Sequence, residues 1–327
     1  MSLLSRFGIG ALMLLLTTLS SGAQVSLPPQ YVIISFDGAS LIEQWERSRA
    51  LAQRTGARFT YFLSCVYLLA PEHRDLYRAP GYKAGRSNVG YGYSRKDVHR
   101  RLEQIWKARG EGHEIANHGC GHFDGSTWKA EDWKEEFRQF NAIVTDAWRI
   151  NGLNGEPQGW RSFVEKEIVG FRAPYLETSP GLFAALAEGG FRYDASTVTP
   201  QPENPPIKGG LARFSLPLIP EGPAGRKIIA MDYNLYVRHS GGVEKPEEAA
   251  AFRQRAYSAF RAAFDREYSG RRTPLQIGFH FTLMNDGAYW QALEQLAEDV
   301  CVKPDVRCVS YRDYLDAVSG PRQDGRS

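Results

Sequence analysis

Seven short apolar, β-branched runs recur along the chain, at residues 31–36, 58–64, 114–117, 168–171, 227–231, 275–281 and 306–310, with longer segments of helical period between them. Strands that alternate with helices in this way are satisfied by a sheet or barrel whose faces the helices cover. The fold class predicted is therefore α/β. One intervening helix starts at Ser94, a side-chain N-cap with Asp97 in the first turn; Val98, Leu102 and Ile105 share a face and Gly110 ends it. Another, over about residues 246–268, repeats Phe252, Ala256, Ala259, Phe260, Ala263 and Phe264 on a core-facing stripe. Residues 67–93, rich in Tyr, Gly and Arg, and 197–211, rich in Pro and Gly, have no period and read as long loops over one face. Loops of that length in a compact domain often carry function. No repeat, low-complexity tract or linker divides the chain, so a single domain is expected.

The chain begins with Arg6, an apolar stretch at 11–16 and the small residues Ser21, Gly22 and Ala23, the pattern of a secretory signal cut after Ala23. That leaves 24–327 as the mature domain, exported to the periplasm or beyond the cell. The apolar run at 7–19 is interrupted by Gly8 and Gly10 and is short for a bilayer span, so no stable membrane insertion is expected after cleavage. Lys and Arg number 40 against 37 Asp and Glu, a balance that argues against a nucleic-acid partner. The sequence specifies no oligomeric state. All four cysteines lie in the exported part, where disulfides are permitted. Cys301 and Cys308 could staple the last strand to the preceding helix. Cys65 and Cys120 either bridge or remain buried thiols, according to whether their segments are neighbours.

The segment 112–122, GHEIANHGCGH, carries His118 and His122, and imidazoles at that spacing suit zinc and its neighbours in the series. Gly119 and Gly121 argue against a regular helix and for a tight turn off a strand end. Taken alone, the two histidines could equally be core or surface residues. Other strand ends change the weight: Asp37 ends YVIISF, Arg172 follows IVGF and leads into Ala173-Pro174-Tyr175, and His280 sits in QIGFHF. Polar groups at strand C-termini converge on the ligand site of parallel α/β folds. Asp, two His, Arg and a further His form a set suited to metal-assisted hydrolysis.

In order and wording, SFDG, HGCGH, FRAPY and GFH resemble the successive motifs of the polysaccharide deacetylases, carbohydrate esterase family 4, with the NodB homology domain. ARFTYFL and GHEIANH are similar to flanking strands of that family, and the likeness covers about residues 32–281. The resemblance implies a distorted (β/α)7-type barrel of about seven strands in one domain. It also implies a divalent metal, zinc before others, and hydrolysis of N-acetyl or O-acetyl groups on a glycan substrate. His118 and His122 match the metal ligands, Asp37 the general base, and His280 the general acid. Arg172 matches an arginine that steadies the base. Pro174 and Tyr175 match the substrate wall, with the Tyr175 amide as an oxyanion donor. The acid histidine calls for an orienting carboxylate. Asp232, in AMDYN, is the candidate and Asp194, in FRYDAS, its rival; either could equally cap a turn.

Two positions depart from the pattern. Gly38 stands where the family has a second Asp that completes the metal set, and Gly119 where a Ser or Thr supports the turn. Three outcomes follow: Asp37 becomes a metal ligand, Asp37 stays the base with water completing a weaker site, or metal binding has decayed. Beside deacetylation, these leave open a non-catalytic carbohydrate-binding protein and a hydrolase of other non-peptide carbon–nitrogen bonds.

Overall fold

The computed structural model describes residues 27–319; the signal-like segment 1–23 lies outside them. In chain order the first half comprises β1 (Gln30–Gly38), α1 (Ile42–Thr55), β2 (Thr60–Leu63), α2 (Arg95–Gly110), β3 (Glu114–Asn117), α3 (Ala130–Ile150), α4 (Trp160–Glu167), β4 (Gly170–Phe171) and α5 (Pro180–Glu188). The second half comprises β5 (Tyr193–Thr199), β6 (Ile207–Lys208), β7 (Leu211–Glu221), β8 (Arg226–Ile229), α6 (Asp232–Ser240), α7 (Ala249–Ser269), β9 (Leu275–His280), α8 (Met284–Val300), β10 (Val306–Val309) and α9 (Tyr311–Val318). The Ser94 hydroxyl accepts from Asp97 N at the start of α2, the cap read from sequence.

β1 sits at the centre of a parallel sheet. β9 pairs along Val32–Asp37, while β10 and β2 share the other edge at Gln30–Ile33 and Ser35–Gly38. From β2 the sheet continues through β3, β4, β5 and β7, with β6 and β8 antiparallel to β7. Past β8 the chain reaches back to β9: Gly278 N donates to Ala230 O at 2.9 Å, and Met231 bridges Gly278. The sheet thus curls toward a barrel whose last side carries one bridge instead of a ladder. The architecture is α/β in one domain, as the alternation predicts.

Side chains of a strand alternate faces, so parity decides what each residue meets. Val32, Ile34 and Phe36 of β1, with Tyr61, Ile115, Ile277 and Phe279, pack outward in the core shared with the helices. Ile33, Phe62, Ala116 and Tyr193 form a second cluster with Tyr311 on the opposite face. Asp37 shares the parity of Ile33, and His118 that of Ala116. Among the described residues no helix is long and apolar enough to cross a membrane.

The reading of 197–211 as one long loop needs correction. Residues 197–199 belong to β5, and 211 opens β7, so the irregular stretch is shorter than the loop read at 197–211. Neither strand was anticipated, because β5 buries polar Asp194 and Ser196 and β7 carries Arg213, Pro217 and Pro220, which mask an apolar run. By contrast, 67–93 is irregular apart from short 3-10 turns at Cys65–Leu68 and Pro71–Leu76.

Both cysteine pairs are bonded. Cys65–Cys120 ties the end of β2 to the histidine turn across 55 residues, and Cys301–Cys308 ties the end of α8 to β10 across 7. Loop-closure entropy predicts that removing the first by paired Cys→Ser substitution costs about 4 kcal/mol and the second about 2 kcal/mol. Denaturant unfolding of the two double variants checks the order; equal costs would contradict it.

Candidate functional site

The turn after β3 is opened by a side chain. Asn117 Oδ1 accepts from Gly119 N at 2.7 Å, and Gly119 adopts φ +67°. His118 N donates to Leu63 O, which extends the pairing of β2 with β3 by one residue and aims the His118 ring into the strand ends. His118 Nδ1 donates to the Arg172 carbonyl at 2.8 Å, leaving the lone pair on Nε2. That Nε2 is buried and has no hydrogen-bond partner among the described residues, and the same holds for His122 Nδ1. The two rings lie 5.1 Å apart, and the Tyr175 ring packs 4.5 Å from His122. Burial lowers the pKa of both histidines, that of His122 to about 3 with help from His118. They are neutral imidazoles, the form that donates a lone pair to a cation.

Asp37 faces them from the end of β1. Burial alone would raise its pKa, but the charge and hydrogen bond of Arg172, together with His280, outweigh it, and the carboxyl stays below its usual value and ionised. The Arg172 guanidinium is fully buried and bonds Ser35 Oγ (2.8 Å), Asp37 Oδ1 (2.8 Å), Ala195 O (3.0 Å) and Tyr311 OH (2.7 Å). It also lies 4.3 Å from the Phe62 ring centroid. These contacts leave the Asp37 carboxylate few alternative rotamers.

His280 ends β9. Its Nδ1 donates to Asp232 Oδ1 at 2.7 Å, and its backbone N to Asp232 Oδ2 at 2.8 Å. Burial opposes the charge on His280, and Asp232 more than compensates, so its pKa is raised. Asp232 is thus the carboxylate paired with His280. The rival, Asp194, accepts instead from Ser196 Oγ (2.5 Å), which itself accepts from Ala173 N (2.8 Å) and so supports the Ala173-Pro174-Tyr175 wall.

These groups open onto a cavity of about 470 Å³, with Asp37, His118, His122 and His280 in its lining. Tyr175, at φ +58° and 56% exposed, and Tyr233, 53% exposed, stand at the rim; buried Ala173 and Met231 form floor. Pro174 and Arg172 are buried and lie behind this lining instead of within it. Sequence reading missed Asn88, Tyr233, Asn234 and Met231. Asn88 belongs to the aperiodic 67–93 loop, and the other three adjoin Asp232, which is the signal that could have found them.

Among the described residues no group of three or more His, Cys, Asp or Glu is arranged to hold a metal ion. The donors that fit are the two unpartnered imidazole nitrogens. At position 38 a Cβ would meet nothing closer than a Tyr67 ring carbon at 3.9 Å, so space for a side chain exists. The backbone there, however, is left-handed at φ +84°. Gly38 therefore sits in a backbone conformation that suits glycine.

No protein-family model matches the chain, and no curated protein sequence does. Solved structures do. One assigned to a polysaccharide deacetylase of Mycobacterium smegmatis is 18% identical, with 93% of this chain and 97% of that chain covered and a TM-score of 0.55. Another, assigned to a polysaccharide deacetylase of Pseudomonas aeruginosa, is 16% identical over 86% of this chain and 88% of that one, with a TM-score of 0.50. At such identities the likeness is one of fold. The chain shares the α/β fold of these polysaccharide deacetylase structures.

Proposed function

We propose that this chain is a metal-dependent hydrolase that removes N-acetyl, or O-acetyl, groups from an amino-sugar glycan. One observation carries the reading: a single cavity gathers an ionised Asp37, two neutral histidines with unpartnered buried nitrogens, and His280 paired with Asp232. His118 and His122 would hold a divalent cation, with zinc the first choice for imidazole donors, and when bound it would polarise the acyl carbonyl and acidify water. Asp37 takes the proton of the attacking water, and Arg172 fixes its orientation. His280, kept protonated to higher pH by Asp232, gives a proton to the departing amine. The Tyr175 amide is assigned to the developing oxyanion, and the Tyr175 and Tyr233 rings to the faces of the sugar.

Mature protein incubated with acetylated chitooligosaccharides and a set of divalent metals tests this through released acetate. Release that chelation abolishes and metal restores is expected. Affinity for the glycan with no acetate under any metal would favour the binding-protein reading. Turnover of a cyclic amide, with none of the acetylated sugar, would favour other carbon–nitrogen bonds.

A consequence arises at Gly38. Gly38→Asp is expected to tighten cation binding by at least about tenfold, since losing supporting interactions alone costs that much. It should also lower stability by about 1 kcal/mol, the cost of a side chain in left-handed backbone. Calorimetric titration of zinc and thermal unfolding read the two effects; unchanged affinity would mean that the position no longer addresses the histidines.

A further inference from the structure

The histidine turn lacks a hydroxyl at position 119, and a carboxylate from another element occupies that place. Glu136, on α3, is 2% exposed. Its Oε1 accepts from Cys120 N at 2.6 Å, and its two oxygens lie 3.1 and 3.0 Å from the Tyr77 hydroxyl, which donates to the carboxylate. Both glycines of the turn are shaped by this pair. A Cβ at position 119 would come within 3.2 Å of Glu136 Oε1, and one at 121 within 2.5 Å of the Tyr77 ring. Asn88 completes the clasp: its N donates to Gly121 O (2.8 Å) and its Nδ2 to His122 O (3.0 Å). The turn is gripped on one side by Glu136 and Tyr77, while His118 and His122 face the cavity on the other.

We infer that Glu136 is a positioning residue: it sets the path of the turn between His118 and His122, and through their spacing sets the affinity for a cation. The inference rests on the reading that these two histidines hold one. A carboxylate offers several acceptor positions to backbone and hydroxyl donors at once, and bonds to an ionised acceptor are stronger than those to a neutral hydroxyl. It can therefore anchor a turn that has two glycines and no hydroxyl of its own. Cys120, whose amide it holds, lies midway between the two histidines, so a shift of that amide moves both rings relative to each other. The 65–120 disulfide fixes the Cys120 side chain, and the Gly119–Cys120 peptide is held from both sides, its carbonyl accepting from Cys65 N (3.1 Å) and its N–H donating to Glu136.

The test uses the mature protein and its Glu136→Gln and Glu136→Leu variants, with the Cys301→Ser/Cys308→Ser variant as a destabilised control remote from the turn. At pH 8 the Glu136 carboxyl, which burial pushes up to about 7, is ionised. Cobalt(II) affinity is measured by competition with a chromophoric chelator, and the visible spectrum of bound cobalt reports ligand geometry. Glu136→Gln is expected to weaken binding about tenfold and Glu136→Leu about a hundredfold, with an altered spectrum, while the control keeps wild-type affinity. Hydrogen exchange at the Cys120 amide should quicken about tenfold in both Glu136 variants. Wild-type affinity and spectrum in Glu136→Leu, or an equal loss in the control, overturns the inference. If the wild-type protein itself binds no cobalt, the reading of His118 and His122 as ligands fails. The assignment of Glu136 as the anchor of the turn is then still decided by Cys120 exchange, and unchanged exchange overturns it.

Discussion

Replacing Arg172 with methionine is expected to lower the unfolding free energy by about 3–5 kcal/mol, read from urea denaturation at neutral pH. The guanidinium makes four hydrogen bonds, and all of its partners keep their polar atoms when it is removed. Asp37, 4% exposed, would be left as a buried anion without its ion-pair partner. The pH dependence follows with its sign. Asp37 has a folded pKa below the ordinary 3.8, so the stability it contributes is present above that value and is lost as pH falls through the folded pKa. In Arg172→Met burial is opposed chiefly by His280, the Asp37 pKa rises, and the loss begins at higher pH. Combining Arg172→Met with Asp37→Asn should cost less than the sum of the single changes, because the stranded charge is gone. A cost below about 1 kcal/mol for Arg172→Met would mean that the pair behaves like an exposed one.

His280→Asn is expected to lower kcat by about a hundredfold to ten-thousandfold with little change in KM, the range for loss of a positioned general acid. Asp232 should act through it. Because Asp232 raises the His280 pKa above 6.5, the protonated acid persists to higher pH, and the alkaline limb of kcat lies above 6.5. Asp232→Asn removes the main opponent of burial, so the His280 pKa falls and that limb moves to lower pH. The linked stability has the opposite sense to that of Asp37: it is present below 6.5 and lost as pH rises through the folded pKa. A pH–rate profile of the two variants reads both effects. An alkaline limb that stays in place in Asp232→Asn would remove His280 from the acid role.

What was legible in the sequence was legible through parity and strand ends. Asp37, Arg172 and His280 follow apolar runs directly, and an extended strand fixes the face on which the next side chain falls. The pairing of His280 could not be decided in the same way, since Asp232 and Asp194 were both available and either could equally have capped a turn. Only the approach of the segment after β8 to β9, through Ala230 and Gly278, puts Asp232 beside the histidine. Cys65 and Cys120 are 55 residues apart, and they meet because β2 pairs with β3, a long-range fact no local pattern carries. β5 and β7 escaped because buried polar residues and prolines disguised them. The same disguise hid Glu136, a charged residue in a helix that reads as exposed until the turn it supports is seen.

The proposed activity requires this cavity to hydrolyse an acyl group with a cation held by His118 and His122. Its most direct measurement is acetate released from acetylated chitooligosaccharide as a divalent cation is titrated into metal-free protein, with a His118→Ala/His122→Ala variant alongside. Release is expected to rise from near zero, to saturate at about one cation per chain, and to be absent in the variant at every ratio. Release that is indifferent to added cation, or that persists in the variant, would contradict it.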